Sequence, residues 1–107
     1  MKSLQATKIS EVAEALLESG YLSLPEQASA LGLPRSTAWT ILRAKHKNYG
    51  LSAAVIKQML AQPQLPRPVR VKICEYIEEK RAGVYGDNPQ RLRRFSAALV
   101  SDEEDMM

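Results

Sequence analysis

The chain has 107 residues and a formal net charge of +3, with 45% hydrophobic and 25% charged residues. That is the composition of one ordinary globular domain, neither disordered nor a disulfide scaffold. A chain of this size buries roughly two thirds of its unfolded surface, enough for one core and too little for a large cofactor-binding enzyme. The single cysteine, Cys74, closes no intramolecular disulfide, and no Cys/His cluster supplies the ligands of a structural zinc site.

Glycine and proline divide the sequence into blocks whose apolar spacing is three and four, so every block reads as helix. The first runs from about Thr7 or Ser10 to Ser19, with Ile9, Val12, Ala13, Leu16 and Leu17 on its inner face and Gly20 as its stop. The second opens on Ser23-Leu24-Pro25-Glu26, where Ser23 and Glu26 can cap each other reciprocally, and ends at Gly32. A third starts after Pro34, with Ala38, Ile41 and Leu42 as its apolar stripe, and stops near Lys45. After a polar connection, His46 to Gly50, a fourth runs from Ser52 to about Ala61 with Val55, Ile56, Met59 and Leu60. Pro63, Pro66 and Pro68 break the chain. The fifth, about Arg67 to Ala82, turns Val69, Ile73, Tyr76 and Ile77 inward. A sixth follows Asn88-Pro89 and carries Leu92, Phe95 and Leu99 to Val100. No block shows the alternation of a strand or a hairpin turn. The expected fold is all-α, a single bundle of five or six short helices over residues 1–100, followed by an acidic flexible tail at 101–107.

The informative stretch is residues 24–43, LPEQASALGLPRSTAWTILR. It joins two short helices through a turn too short for an antiparallel return, so they must cross steeply. Ala28 is small where the next helix passes over it, Gly32 can take the left-handed turn conformation, and Leu31, Leu33, Ala38 and Ile41 fill the wedge between the helices. On these positions the stretch resembles the helix-turn-helix of bacterial and phage repressors, of the Cro/phage-repressor-like or lac-repressor-like kind. Ala38 stands where that family more often has valine or isoleucine, and Pro34 replaces the usual capping Ser or Asn. Residues 51–80 look like the helices that close such domains, so the resemblance covers about residues 20 to 82 and concerns the fold more than any one protein.

The resemblance implies that helix 35–45 enters the major groove of double-stranded DNA with its outward amino-terminal side chains against base edges. Those are Arg35, Ser36, Trp39, Thr40 and Arg43. Arginine can pair bidentately with guanine, serine and threonine can donate or accept, and tryptophan offers an apolar face to a thymine methyl. Lys45, Lys47, Asn48 and Tyr49 follow as donors suited to phosphate. Charge is distributed accordingly: residues 21–50 set Arg35, Arg43, Lys45 and Lys47 against Glu26 alone and residues 51–86 are equally basic, whereas the first twenty residues and residues 87–107 are net acidic.

The plainer readings stand beside these. Trp39 can instead be a partly buried aromatic covering the turn to the fourth helix. His46 has no neighbouring nucleophile or carboxylate and reads as a solvated or phosphate-proximal side chain. Cys74 reads as a small buried thiol. Arg91, Arg93 and Arg94 are either a phosphate clamp or a solvated face interacting with the acidic tail.

The expected function is sequence-specific DNA binding by a small bacterial or phage transcriptional regulator, acting as a homodimer because one recognition helix reads few base pairs. The dimer surface is sought on the sixth helix, at Leu92, Phe95 and Leu99, or on the first, at Leu16 and Leu17. The alternative is a helical protein–protein interaction module, adaptor or antitoxin-like. An enzyme is not expected, since the chain has no Ser/His/Asp set, paired catalytic carboxylates or Gly-rich phosphate loop. No cofactor, metal or small-molecule ligand is expected. Residues 1–9 lack the apolar run of a signal peptide, and no stretch approaches about 18 uninterrupted apolar residues, so the expectation is a cytoplasmic, nucleoid-associated protein without membrane contact.

Overall fold

A computed structural model describes residues 4–42 and 51–105, with side chains described as far as Val100. Six helices follow one another: α1 Leu4–Glu18, α2 Leu24–Leu31, α3 Arg35–Leu42, α4 Ala53–Leu60, α5 Arg67–Arg81 and α6 Pro89–Asp105. The described residues contain no strand, and the fold is all-α. No helix among them is long and apolar enough to cross a membrane.

The helix starts follow local chemistry. Ser23 accepts the Glu26 amide at 3.4 Å while the Glu26 carboxylate accepts the Ser23 amide at 3.0 Å, so two otherwise orphaned donors at the start of α2 are satisfied. The Ser23 hydroxyl also donates to Glu26 Oε1 at 2.8 Å, and this bond, followed by the one from the Ser23 amide, holds the Glu26 carboxyl below its ordinary range. The Ser52 hydroxyl accepts the Val55 amide at 3.2 Å and caps α4. At α6, the Asn88 side chain accepts the Arg91 amide at 2.8 Å.

One core joins all six elements. Leu16, Leu31, Ile56, Val69, Ile73 and Tyr76 are fully buried, with Met59, Val12 and Phe95 beside them. Helices α1 and α5 lie against each other, α2 against α3, and α6 across α4 and α5. The Cα radius of gyration, 13.6 Å, is near the roughly 13 Å of a compact domain of this length.

Buried polar groups tie distant segments. The Tyr76 hydroxyl accepts the Leu51 amide at 2.8 Å and donates to Gln5 Oε1 at 2.7 Å, joining α5 to the approach to α4 and to α1. Burial pushes its phenol up to about 12, so it stays protonated as that donor. Lys8 of α1, buried, reaches Glu75 at 2.9 Å, Glu11 at 3.1 Å and Glu79 at 3.5 Å.

Several expectations are corrected. Helix α1 begins at Leu4, earlier than Thr7, because Gln5 and Lys8 are held by α5 although neither belongs to an apolar stripe. Its buried face is Lys8, Val12, Ala15 and Leu16, and Leu17, about 100° further round, is 45% exposed. Cys74 is exposed, since α5 buries Val69, Ile73 and Tyr76 and position 74 falls outside that stripe. Helix α6 is Pro89–Asp105, a longer span than the one expected to end at Val100. The residues expected to offer a dimer face are buried to different degrees. Leu16 and Phe95 are buried in the core, Leu92 and Leu99 are half-buried, and Leu17 is exposed.

Candidate nucleic-acid interface

Helices α2 and α3 are joined by Gly32-Leu33-Pro34. Gly32 has φ +69° and ψ +30°, the left-handed conformation that favours glycine. Its amide bonds to the Ser29 carbonyl at 3.2 Å, and the Leu33 amide bonds to the Ala28 carbonyl at 3.0 Å. These are the paired bonds of a Schellman end, and Leu33 and Ala28 are both buried. Pro34 then places its carbonyl to accept the Ala38 amide at 3.0 Å, opening α3.

A second set of bonds holds this turn from outside. Gln58 Nε2 of α4 donates to the Gly32 carbonyl at 2.7 Å. Gln64, in the connection to α5, donates to the Ser29 carbonyl at 3.0 Å and to Gln62 Oε1 at 3.1 Å, and Gln62 donates to the Gln58 carbonyl at 3.1 Å. Arg70 donates to the carbonyls of Leu60 at 2.9 Å and Gln62 at 3.1 Å, fixing the connection that carries the glutamines. Carbonyls left open at the end of α2 are thereby satisfied. A side chain at Gly32 would run into Gln62.

On α3 the register divides the residues cleanly. Ala38 is fully buried, Thr37, Ile41 and Leu42 are half-buried, and Arg35, Ser36, Trp39 and Thr40 are exposed. The four exposed residues are spaced i, i+1, i+4 and i+5, so they share one face of the helix. Trp39 is 50% exposed, so half of the indole surface is free. The Thr40 hydroxyl donates to the Ser36 carbonyl at 3.0 Å, which leaves its lone pairs and methyl outward. Arg35 is the one charged residue of α3. The expected base-reading group is thus brought together, apart from Arg43. That residue, the expected phosphate donors Lys45, Lys47, Asn48 and Tyr49, and His46 lie outside the described residues.

The glutamines that brace the turn are not legible in the motif itself. Gln58 and Gln64 act across 26 and 35 residues, and the one local sign is the cluster Gln58, Gln62 and Gln64 around Pro63. Elsewhere, a shallow groove of about 230 Å³ is lined by Leu4, Thr7, Lys8, Glu11, Glu79 and Val84. Its lysine is already held by three carboxylates, and those bonds, the one to Glu75 foremost, hold the ammonium above its ordinary range. Among the described residues, no group of three or more His, Cys, Asp or Glu could hold a metal ion. Comparison of the chain with family models, curated proteins and solved structures finds no match to any of the three.

Proposed function

We propose that the chain is a sequence-specific double-stranded DNA-binding protein, a small transcriptional regulator of bacterial or phage type that acts as a homodimer within the cytoplasm. The observation that carries this reading is the exposed face of α3. Arg35, Ser36, Trp39 and Thr40 point outward together, opposite the fully buried Ala38, on a helix whose starting turn is braced by backbone and glutamine bonds. An α-helix fits the major groove, and these side chains offer a bidentate donor, two hydroxyls and an apolar plate to base edges. Arg43 completes the base-reading set, and Lys45, Lys47, Asn48 and Tyr49 supply phosphate contacts, which set register without reading sequence. Two such helices in a dimer would read half-sites about 34 Å apart. Binding of this kind is non-enzymatic and controls transcription by occupancy of the site.

The test is fluorescence anisotropy on a labelled random-sequence duplex of about 30 base pairs, with salt raised from about 50 to about 200 mM. Micromolar affinity that falls steeply with salt is the expected result, and the slope counts the phosphates neutralised. Absence of salt-sensitive binding at the lowest salt overturns the reading and leaves the helical protein-interaction module. In that case Arg35→Ala and Thr40→Ala would leave partner capture intact.

A further inference from the structure

Charge along α6 runs against the helix's own dipole. Arg91, Arg93 and Arg94 lie in its first two turns, and Asp102, Glu103, Glu104 and Asp105 occupy its last. A helix is positive at its amino end and negative at its carboxyl end, so cations are favoured late and anions early; here each end carries the sign that repels. The two sets cannot relieve each other within one helix. Eleven residues separate Arg93 from Glu104, about 16 Å along the axis at roughly 1.5 Å per residue. Among the described residues Arg93 and Arg94 have no ion-pair partner, whereas Lys8, Lys72 and Lys80 are each paired with carboxylates.

The inner side of α6 is spoken for. Phe95 is buried with Leu99 against the core, and Lys57 Nζ donates to the Ala98 carbonyl at 2.7 Å. On the opposite side Arg93, Ala97 and Val100 are exposed, and position 104 continues that stripe at the spacing four, three, four. The stripe is complementary to itself when reversed. Turned end for end about the midpoint between Ala98 and Leu99, Arg93 meets Glu104, Ala97 meets Val100, and Arg94 comes beside Asp105. Reversal also opposes the two helix dipoles, bringing the basic amino end of each helix to the acidic carboxyl end of the other.

We propose that the protein self-associates by antiparallel pairing of α6 with α6 of a second copy across a two-fold axis, with Arg93 and Arg94 of each copy against Glu104 and Asp105 of the other. Such an isologous contact closes as a dimer, because the same stripe is used on both sides. It gives the dimer in the proposed function its surface, yet it stands on the charges of α6 alone and is measured without DNA. One helix pair falls below the about 1,200 Å² of a standard interface, so the dimer is weak, with a dissociation constant in the micromolar range, and sensitive to salt.

Sedimentation equilibrium of the full chain at low salt, from about 1 µM to about 1 mM, reads the association directly. The expected result is a monomer–dimer equilibrium that weakens as salt rises. Arg93→Glu with Arg94→Glu makes both ends of α6 acidic, and Glu104→Arg with Asp105→Arg makes both basic. Each pair of substitutions is expected to weaken self-association about tenfold or more, while an equimolar mixture of the two variants restores a dimer. Each reversal also improves the match to the helix dipole, so circular dichroism should show α6 helicity kept or raised, which separates loss of pairing from loss of fold. A wild-type chain that stays monomeric throughout, arginine variants with unchanged self-association, or a mixture that fails to associate each overturns the proposal. Loss of DNA affinity in the arginine variants with an unchanged monomer–dimer equilibrium does so too, and assigns the arginines to phosphate.

Discussion

Arg35 concentrates the proposed reading chemistry, because it is exposed at the first turn of α3 and is that helix's one charged side chain. If it forms a bidentate pair with guanine, Arg35→Ala should lower specific affinity by about 1–3 kcal/mol and relax preference at one base pair, with unfolding unchanged. Binding to a panel of single-base operator variants checks this; a uniform loss across sequences would place the arginine on phosphate instead. Tyr76 shows the opposite kind of residue, buried and structural. Tyr76→Phe keeps the ring against Tyr85, at 5.2 Å between centroids, but leaves the Leu51 amide without its acceptor. A buried donor left unpaired costs about 1–3 kcal/mol, so the urea midpoint should fall with little change in slope.

At the level of elements, the short α2 and α3 depend on their junction. Eight residues apiece are too few to be stable as isolated helices, so their relative placement comes from the turn and from the core beneath it. Gly32→Ala would force a side chain into the left-handed region and into Gln62, and a loss of about 1–2 kcal/mol or more is expected in urea denaturation. Gln58 and Gln64 are largely exposed, so their replacement by alanine should change global stability little. The effect is expected in the local order of α3: the Ala38 amide, bonded to the Pro34 carbonyl, should exchange faster with solvent deuterium in the double variant, with core amides of α5 unaffected.

For the molecule as a whole, α1 is clamped to α5 by an ion cluster of Lys8, Lys72, Glu11, Glu75 and Glu79. Hydrogen bonds from Lys8 first, then Lys72, hold the Glu11 and Glu75 carboxyls below their ordinary value of 4.5. A carboxyl depressed on folding contributes stability above its unfolded value and loses it as pH falls through the folded one. Lys8 is shifted upward, so its contribution is complete below 10.5 and is lost only at higher pH. The clamp should therefore be intact across neutral pH and should loosen on acidification below about 4.5. Thermal melts of wild type and Lys8→Met between pH 5 and pH 3 test this, with a smaller fall in Tm expected for the variant. Equal falls would assign the acid sensitivity to other carboxylates.

Legible in the sequence were the helical class, five of the six helix starts to within a residue or two, the capping box at Ser23 and Glu26, the left-handed turn at Gly32, and the outward side chains Arg35, Ser36 and Thr40, with Trp39 open between an outward and a partly buried reading. Those features are local: a cap, a turn glycine and a 3.6-residue stripe are each complete within one or two turns of chain. The tertiary structure alone decided the rest. Lys8 is buried because Glu75 and Glu79 lie across from it on α5, and α1 starts early for the same long-range reason. The glutamines at 58 and 64 find carbonyls of α2 and its turn, and Tyr76 finds Leu51 and Gln5, through contacts between 25 and 71 residues apart that no local spacing encodes. Burial of Phe95 likewise turned the apolar side of α6 inward and left Arg93, Arg94, Ala97 and Val100 facing solvent, because an amphipathic pattern tells which side of a helix is apolar but not what will cover it.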